Sequence, residues 1–277
     1  MQSSNPVFAR SEGFNGRGAQ GFTYPGSSPS TWGVGAPGGP VTHTDPSVDR
    51  GPMTIDSVVQ KTGLTLGVVV IMAGLTWIFT GDITSDSALA GLYGISLVGA
   101  LGGFVLAMVN SFKRVVSPAL VIGYAAFEGV FVGAFSKALE AHFGGGLVIG
   151  AVLGTVAATG GTLAAYKFFN IQVGQKFRTW VVAAMFGFVA VSLLDLVLGF
   201  FGADIGVNGF GGVGFVMSLV GLGLGVLMLI LDFDFVERGI AAGLPERESW
   251  RAAFGLTVTI VWIYVELLRL LAILRGN

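Results

Sequence analysis

Seven long apolar blocks dominate this chain, at roughly 62–80, 88–110, 118–139, 145–166, 178–200, 210–235 and 251–274, with short polar breaks between them. About 20 apolar residues in a helix cross the hydrocarbon of a bilayer, so every block has the length of a span. A soluble alternative lacks the charge to coat its surface: only 11% of residues are Asp, Glu, Lys or Arg, against roughly 25% in an ordinary soluble domain. The expected fold is all-α, a polytopic membrane protein whose seven transmembrane helices occupy residues 53–277.

Residues 1–52 differ in character. They are rich in Gly, Pro, Ser and Thr and show neither helical nor strand periodicity, which predicts a disordered tail. Either the tail is a solvated tether, or Phe8, Phe14, Phe22, Tyr24 or Trp32 binds a partner. The first thirty residues lack a continuous apolar run, so no secretory signal is expected. Thr54 then reads as an N-cap with Asp56 in the first turn, starting a short interfacial turn before the first span.

Lys and Arg set the orientation. With the tail in the cytoplasm, twelve of the 15 basic residues lie on the inner side, leaving Lys137, Arg269 and Arg275 outside. This places the amino terminus inside and the carboxyl terminus outside. The net charge of -1 offers no basic surface for phosphates, so nucleic acid is not an expected partner.

Glycine is the most unusual residue: there are 45, more than twice the usual share of about 7%. Most lie within or beside the spans. Gly146, Gly150 and Gly154 recur at four-residue spacing, as do Gly221 and Gly225, which would let another helix approach closely on that face. The other reading is a flexible or broken helix lining a path.

An ionised side chain near mid-bilayer costs about 2.5 to 3.5 kcal/mol on insertion scales, so intramembrane charges are functional candidates. Glu128 lies near the middle of span three without a basic residue within one turn; it is neutral or has a partner on another helix. Asp195, toward the outer end of span five, either belongs to a polar path or caps a bend. Asp232 and Asp234 end span six and point to different faces, so only one can face the bundle interior. Glu266 and Arg269 are one turn apart in span seven and can pair along one face.

These residues leave an enzyme little to work with. The chain has no cysteine, and its two histidines are His43 in the tail and His142 in an outer loop, so thiol chemistry, a Ser-His pair and a His-rich metal site all lack parts. An intramembrane aspartyl protease fails as well, because Asp195 and Asp232 would sit near opposite surfaces. No enzyme activity, metal or cofactor is expected. A channel needs only a polar path and a group whose charge changes. Two carboxylates facing each other in a low-dielectric bundle supply that group, because they do not both ionise cheaply and hold a proton between them.

Span three, Glu128-Gly129-Val130-Phe131-Val132-Gly133-Ala134-Phe135-Ser136, resembles the E-G-L-x-L-G-x-x-S segment of the Bax inhibitor (transmembrane Bax inhibitor motif) family. Ile263-Tyr264-Val265-Glu266-Leu267-Leu268-Arg269-Leu270-Leu271 is similar to its closing L-Y-L-D-x-x-N-L-F, and Leu231-Asp232-Phe233-Asp234 to its F-D-T-Q. The likeness covers roughly residues 54–275 and suggests an actinobacterial-type branch. It implies a seven-helix bundle with the last helix central, acting as a pH-sensitive calcium leak in a bacterial plasma membrane. Its proton-sharing sensor would be Asp232 and Glu266, and Glu128 would match the family's span-three glutamate. The sequence departs from the pattern in having Glu at the second sensor position, Asp234 in place of a polar amide, and a longer stretch from Asp232 to Glu266. The added length implies a longer loop or an extended sixth helix, and makes Asp234 an alternative partner for Glu266. Arg114 is the nearest basic candidate for a gating ion pair. The alternative function is a non-conducting scaffold, regulating a membrane protease or stress response, in which the carboxylates only join helices. The expected partners are the lipid bilayer, calcium or other cations, and protons; protein partners are not specified.

Overall fold

The computed structural model describes residues 51–83, 85–203 and 205–276, so the expectations for residues 1–50, including the aromatic residues of the tail, lie outside the described residues. Seven helices follow one another: α1 Ile55–Phe79, α2 Asp86–Phe112, α3 Pro118–Phe143, α4 Leu147–Phe168, α5 Gln175–Phe200, α6 Gly212–Ala241 and α7 Glu248–Gly276. All seven are long and apolar enough to cross a membrane. Because successive spans alternate in direction, the side on which α1 begins is called here the entry side, and the other the far side.

Local chemistry sets the helix ends. Thr54 accepts from the Ser57 N–H while the Ser57 hydroxyl accepts from Thr54 N–H, a reciprocal capping box. The helix is continuous from there, so the expected interfacial turn is simply the first turn of the span. Ser85 caps α2, and Pro118 opens α3, where its missing N–H costs nothing. The sixth helix is extended rather than followed by a long loop. It continues past the expected end at residue 235 because Arg238 pairs with Asp234 one turn earlier at 2.8 Å and donates to the Val173 carbonyl.

Helix α7 is the centre of the bundle. It packs against α1, α3, α4 and α6, whereas α2 packs on α3, and α5 packs on α6 and reaches α7 through the edge-on contact of Phe188 with Trp262. Its side chains supply both main core clusters: Ala252, Leu256 and Ile263 with Met53, Val58 and Leu229, and Tyr264, Leu268 and Ala272 with Leu139, Leu147 and Ala151. Outward residues such as Val70, Phe186 and Phe200 remain exposed, as expected of side chains that face lipid.

Lipid tails are as apolar as leucine, so helices in a membrane associate through close packing rather than hydrophobic burial. Glycine supplies that closeness here. A Cβ on Gly129 would stand 2.6 Å from the Val69 carbonyl oxygen, and one on Gly99 would stand 2.6 Å from the Phe131 nitrogen. On α6, added carbons at Gly221 and Gly225 would stand 2.7 Å from Glu266 Oε1 and 2.8 Å from Ile263 Cγ1. Gly150 and Gly154 face Leu271 and Leu267 on α7, more loosely at 3.2 Å. Gly146 does not share their helical face. It precedes α4 as the N-cap with φ of 86°, a left-handed turn position, and its N–H donates to the Glu140 carboxylate, which also caps Val148.

On the entry side the chain is clasped to the α6–α7 turn. Met53 N–H donates to the Leu244 carbonyl at 2.7 Å and Glu246 N–H to the Gly51 carbonyl at 2.9 Å. Lys61 pairs with Glu246 at 2.8 Å, and the hydroxyls of Ser57 and Ser249, and of Thr65 and Thr257, meet at 2.6 and 2.7 Å.

Candidate functional site

Three carboxyl groups inside the spans each stand against a glycine of a neighbouring helix. Glu128 on α3 presents Oε2 where a Cβ on Gly103 of α2 would be 2.9 Å away. Asp232 on α6 lies against Gly255 of α7, whose added carbon would be 3.2 Å from Oδ1. Glu266 on α7 lies against Gly221 of α6. In each case the missing side chain on one helix makes the niche for the acid on the other.

The partners differ. Asp232 accepts a hydrogen bond from the Thr259 hydroxyl at 2.5 Å and forms no ion pair among the described residues. Glu128 lies one turn from Tyr124, whose ring packs edge-on against Phe254 of α7 with centroids 5.1 Å apart, and it too forms no ion pair with the described residues. Glu266 pairs with Arg269 at 3.3 Å, both side chains being buried. Ser218, fully buried one turn before Gly221, brings its hydroxyl toward the Glu266 carboxyl group.

The register of α6 on α7 keeps Asp232 and Glu266 apart. Gly255 and Thr259 lie across from Asp232, Trp262 and Ile263 across from Gly225, and Glu266 across from Gly221. Asp232 and Gly221 are therefore separated by about three helical turns, roughly 16 Å along the axis. The expected proton-sharing pair of Asp232 and Glu266 does not form, because antiparallel helices of this length bring each acid opposite a different level. Asp234 is not the substitute partner: Arg178 and Arg238 both bind it at 2.8 Å, fixing it at the entry side.

Asp195 is not part of a polar path with these groups. Its carboxylate accepts the backbone N–H groups of Ile205, Gly206 and Asn208 at 2.6, 3.1 and 2.8 Å, which folds the α5–α6 loop back over the helix end. Arg269 reaches the same loop by donating to the Val207 carbonyl at 2.9 Å. Replacing Asp195 by alanine is expected to leave those amides without an acceptor, at about 1–3 kcal/mol. Hydrogen exchange of residues 205–208 reads this directly, and unchanged protection would remove the loop-organising role. Arg114 offers its carbonyl to Arg251 at 2.9 Å, but its exposed side chain pairs with no acid among the described residues.

Sequence reasoning missed Gly103, Gly255 and Thr259. The first had a signal in the four-residue spacing of Gly99 and Gly103; the other two become visible only with the register of α6 on α7. Among the described residues no three His, Asp or Glu side chains are grouped to hold a metal ion.

The comparisons agree with this architecture at the level of family. No curated protein matches the chain. The family model described as Bax inhibitor 1 like matches residues 5–276, so the likeness extends upstream of Met53 into the Gly-rich segment instead of starting near residue 54. A match over nearly the whole chain, seven spans and a central last helix lead to one conclusion: the protein belongs to the Bax inhibitor 1-like family.

Proposed function

We propose that this protein passes cations, calcium foremost, across a bacterial plasma membrane under the control of protons, with its amino terminus cytoplasmic and its carboxyl terminus outside. It is a leak pathway and not an enzyme. The observation that carries the reading is Asp232, a carboxyl group within a span whose partner is one hydroxyl and which has no counter-ion among the described residues. A lone carboxylate in that setting is costly unless something neutralises it. A proton does so in the resting state, and a passing cation does so when the proton leaves. Calcium ordinarily takes six to eight oxygen ligands, so single carboxyl groups hold it loosely enough to release it. Glu128 supplies a second such group. Glu266, already paired with Arg269, braces the far side instead of sharing a proton.

The test is calcium-dye flux in proteoliposomes between pH 6 and pH 8. Flux is expected to rise with pH, and Asp232→Asn to flatten that dependence, with Glu128→Gln acting in the same direction. Flux no greater than in empty vesicles, or identical flux in both variants, would overturn the proposal.

A second reading is a non-conducting scaffold. It is favoured by the separation of the three acids into niches of their own. Absence of flux from a protein that stays folded and monodisperse would select it.

A further inference from the structure

We propose that the turn joining α4 to α5 is a binding surface for anionic headgroups of the lipid leaflet on the entry side. This goes beyond the conduction reading and does not depend on it. Helix α4 ends at Phe168 and α5 begins at Gln175, so a short turn connects two helices that are each long and apolar enough to cross the membrane. Such a turn stays at the end of its spans, where headgroups meet hydrocarbon.

The turn is fastened to α6, and its acids are spent in the fastening. Ile171 N–H donates to the Tyr166 carbonyl at 3.2 Å. Val173 is buried in a cluster with Ile230 and Leu231 of α6, and its carbonyl accepts from Arg238. Asp234 holds Arg178 and Arg238, both at 2.8 Å, and Glu237 accepts from the Tyr166 hydroxyl at 2.6 Å. Lys167, in the last turn of α4, and Lys176, in the first turn of α5, are exposed and pair with no acid among the described residues. Four basic side chains thus stand around the turn against two carboxylates, and the excess positive charge is on the two exposed lysines.

The neighbours of these lysines identify the anion. Phe168, Phe169 and Trp180 are 85%, 80% and 75% exposed. Three bare rings are costly against water, whereas at the membrane interface they lie favourably between headgroups and chains. The lysine stems run along the same apolar layer and carry their ammonium groups up to the phosphates. Unpaired ammonium groups above rings in the chain boundary are complementary to a headgroup with net negative charge. A soluble anion would engage the lysines and leave the rings unused.

The other entry-side turns differ in charge and in aromatic content. Between α6 and α7, Glu246 and Glu248 pair with Lys61 and Arg251. Between α2 and α3, Lys113 and Arg114 have the single ring of Phe112 beside them, and Arg251, which binds the Arg114 carbonyl, brings Glu248 close. That second turn supplies the control.

Trp180 reports the occupant. A chain with Trp32, Trp77, Trp250 and Trp262 changed to Phe is placed in phosphatidylcholine vesicles containing phosphatidylglycerol or phosphatidylcholine brominated in the acyl chains. The anionic lipid is expected to quench Trp180 at about tenfold lower mole fraction, within what two basic residues near headgroups confer. Lys167→Gln with Lys176→Gln should remove the preference while quenching by chains persists. Lys113→Gln with Arg114→Gln takes the same charge from the same side and should leave the preference in place. Native mass spectrometry with all tryptophans kept gives a second readout. Phosphatidylglycerol should be retained by the parent chain and by the Lys113/Arg114 variant, and reduced in the Lys167/Lys176 variant. Equal quenching by the two lipids, or a preference that survives the loss of Lys167 and Lys176, would overturn the proposal. So would an equal fall in both paired variants, which is the signature of a diffuse surface charge and not of a site.

Discussion

Replacing Gly133 by leucine is expected to cost about 3 kcal/mol or more and to separate α1 from α3, the upper end of what overpacking normally does. An added Cβ there would lie 2.5 Å from the Ala73 carbonyl oxygen and 2.8 Å from Ala73 Cα. Both obstacles are backbone, so no rotamer change relieves the clash and the whole helix has to move. One turn earlier, Gly129 meets Val69 in the same manner, which makes the contact a two-point seam that cannot pivot about either end. The control is Gly67→Leu on α1, where an added Cβ meets nothing within 4 Å and the effect should stay within about 0.5 kcal/mol. Thermal unfolding in detergent, followed by the fraction that remains monodisperse, distinguishes them. Equal midpoints for the two variants would show that the glycine seam does not hold α1 to α3.

That seam shows where sequence reading stops. The spans were legible because about 20 apolar residues have few other uses, and the charges between them mark the breaks. The packing face of each span was not. A helix that is apolar all round has no polar side to compare, so Gly129 and Gly133 of α3 look no different from Gly146, Gly150 and Gly154. The first two turned out to meet backbone, while the latter series split into a turn residue and two looser contacts. Asp234 was likewise ambiguous because its partners, Arg178 on α5 and Arg238 one turn on, depend on where α6 ends. Asp232 and Glu266 could be recognised as costly, but their separation is a matter of register between helices, which no local pattern encodes.

The Glu266–Arg269 pair was legible as a one-turn spacing, and it carries the second large effect. Arg269→Met is expected to destabilise the protein by about 3–5 kcal/mol, the loss typical when one partner of a buried pair is removed and the other charge stays behind. The geometry supports a value in that range, because both side chains are buried and the carboxylate lies against Gly221 and the fully buried Ser218. Glu266→Gln should cost a comparable amount by stranding the guanidinium. The double variant should recover most of the loss, since neither charge then remains uncompensated. Recovery will be incomplete, because the Arg269 hydrogen bond to the Val207 carbonyl disappears whenever Arg269 is removed, at about 1 kcal/mol. A double-mutant cycle on unfolding free energy in detergent isolates the coupling from that separate loss. It should change little between low and high salt, because buried pairs are only weakly screened. Additive losses in the cycle would mean that the two charges do not interact, leaving the α5–α6 loop fastened to Arg269 by its carbonyl alone.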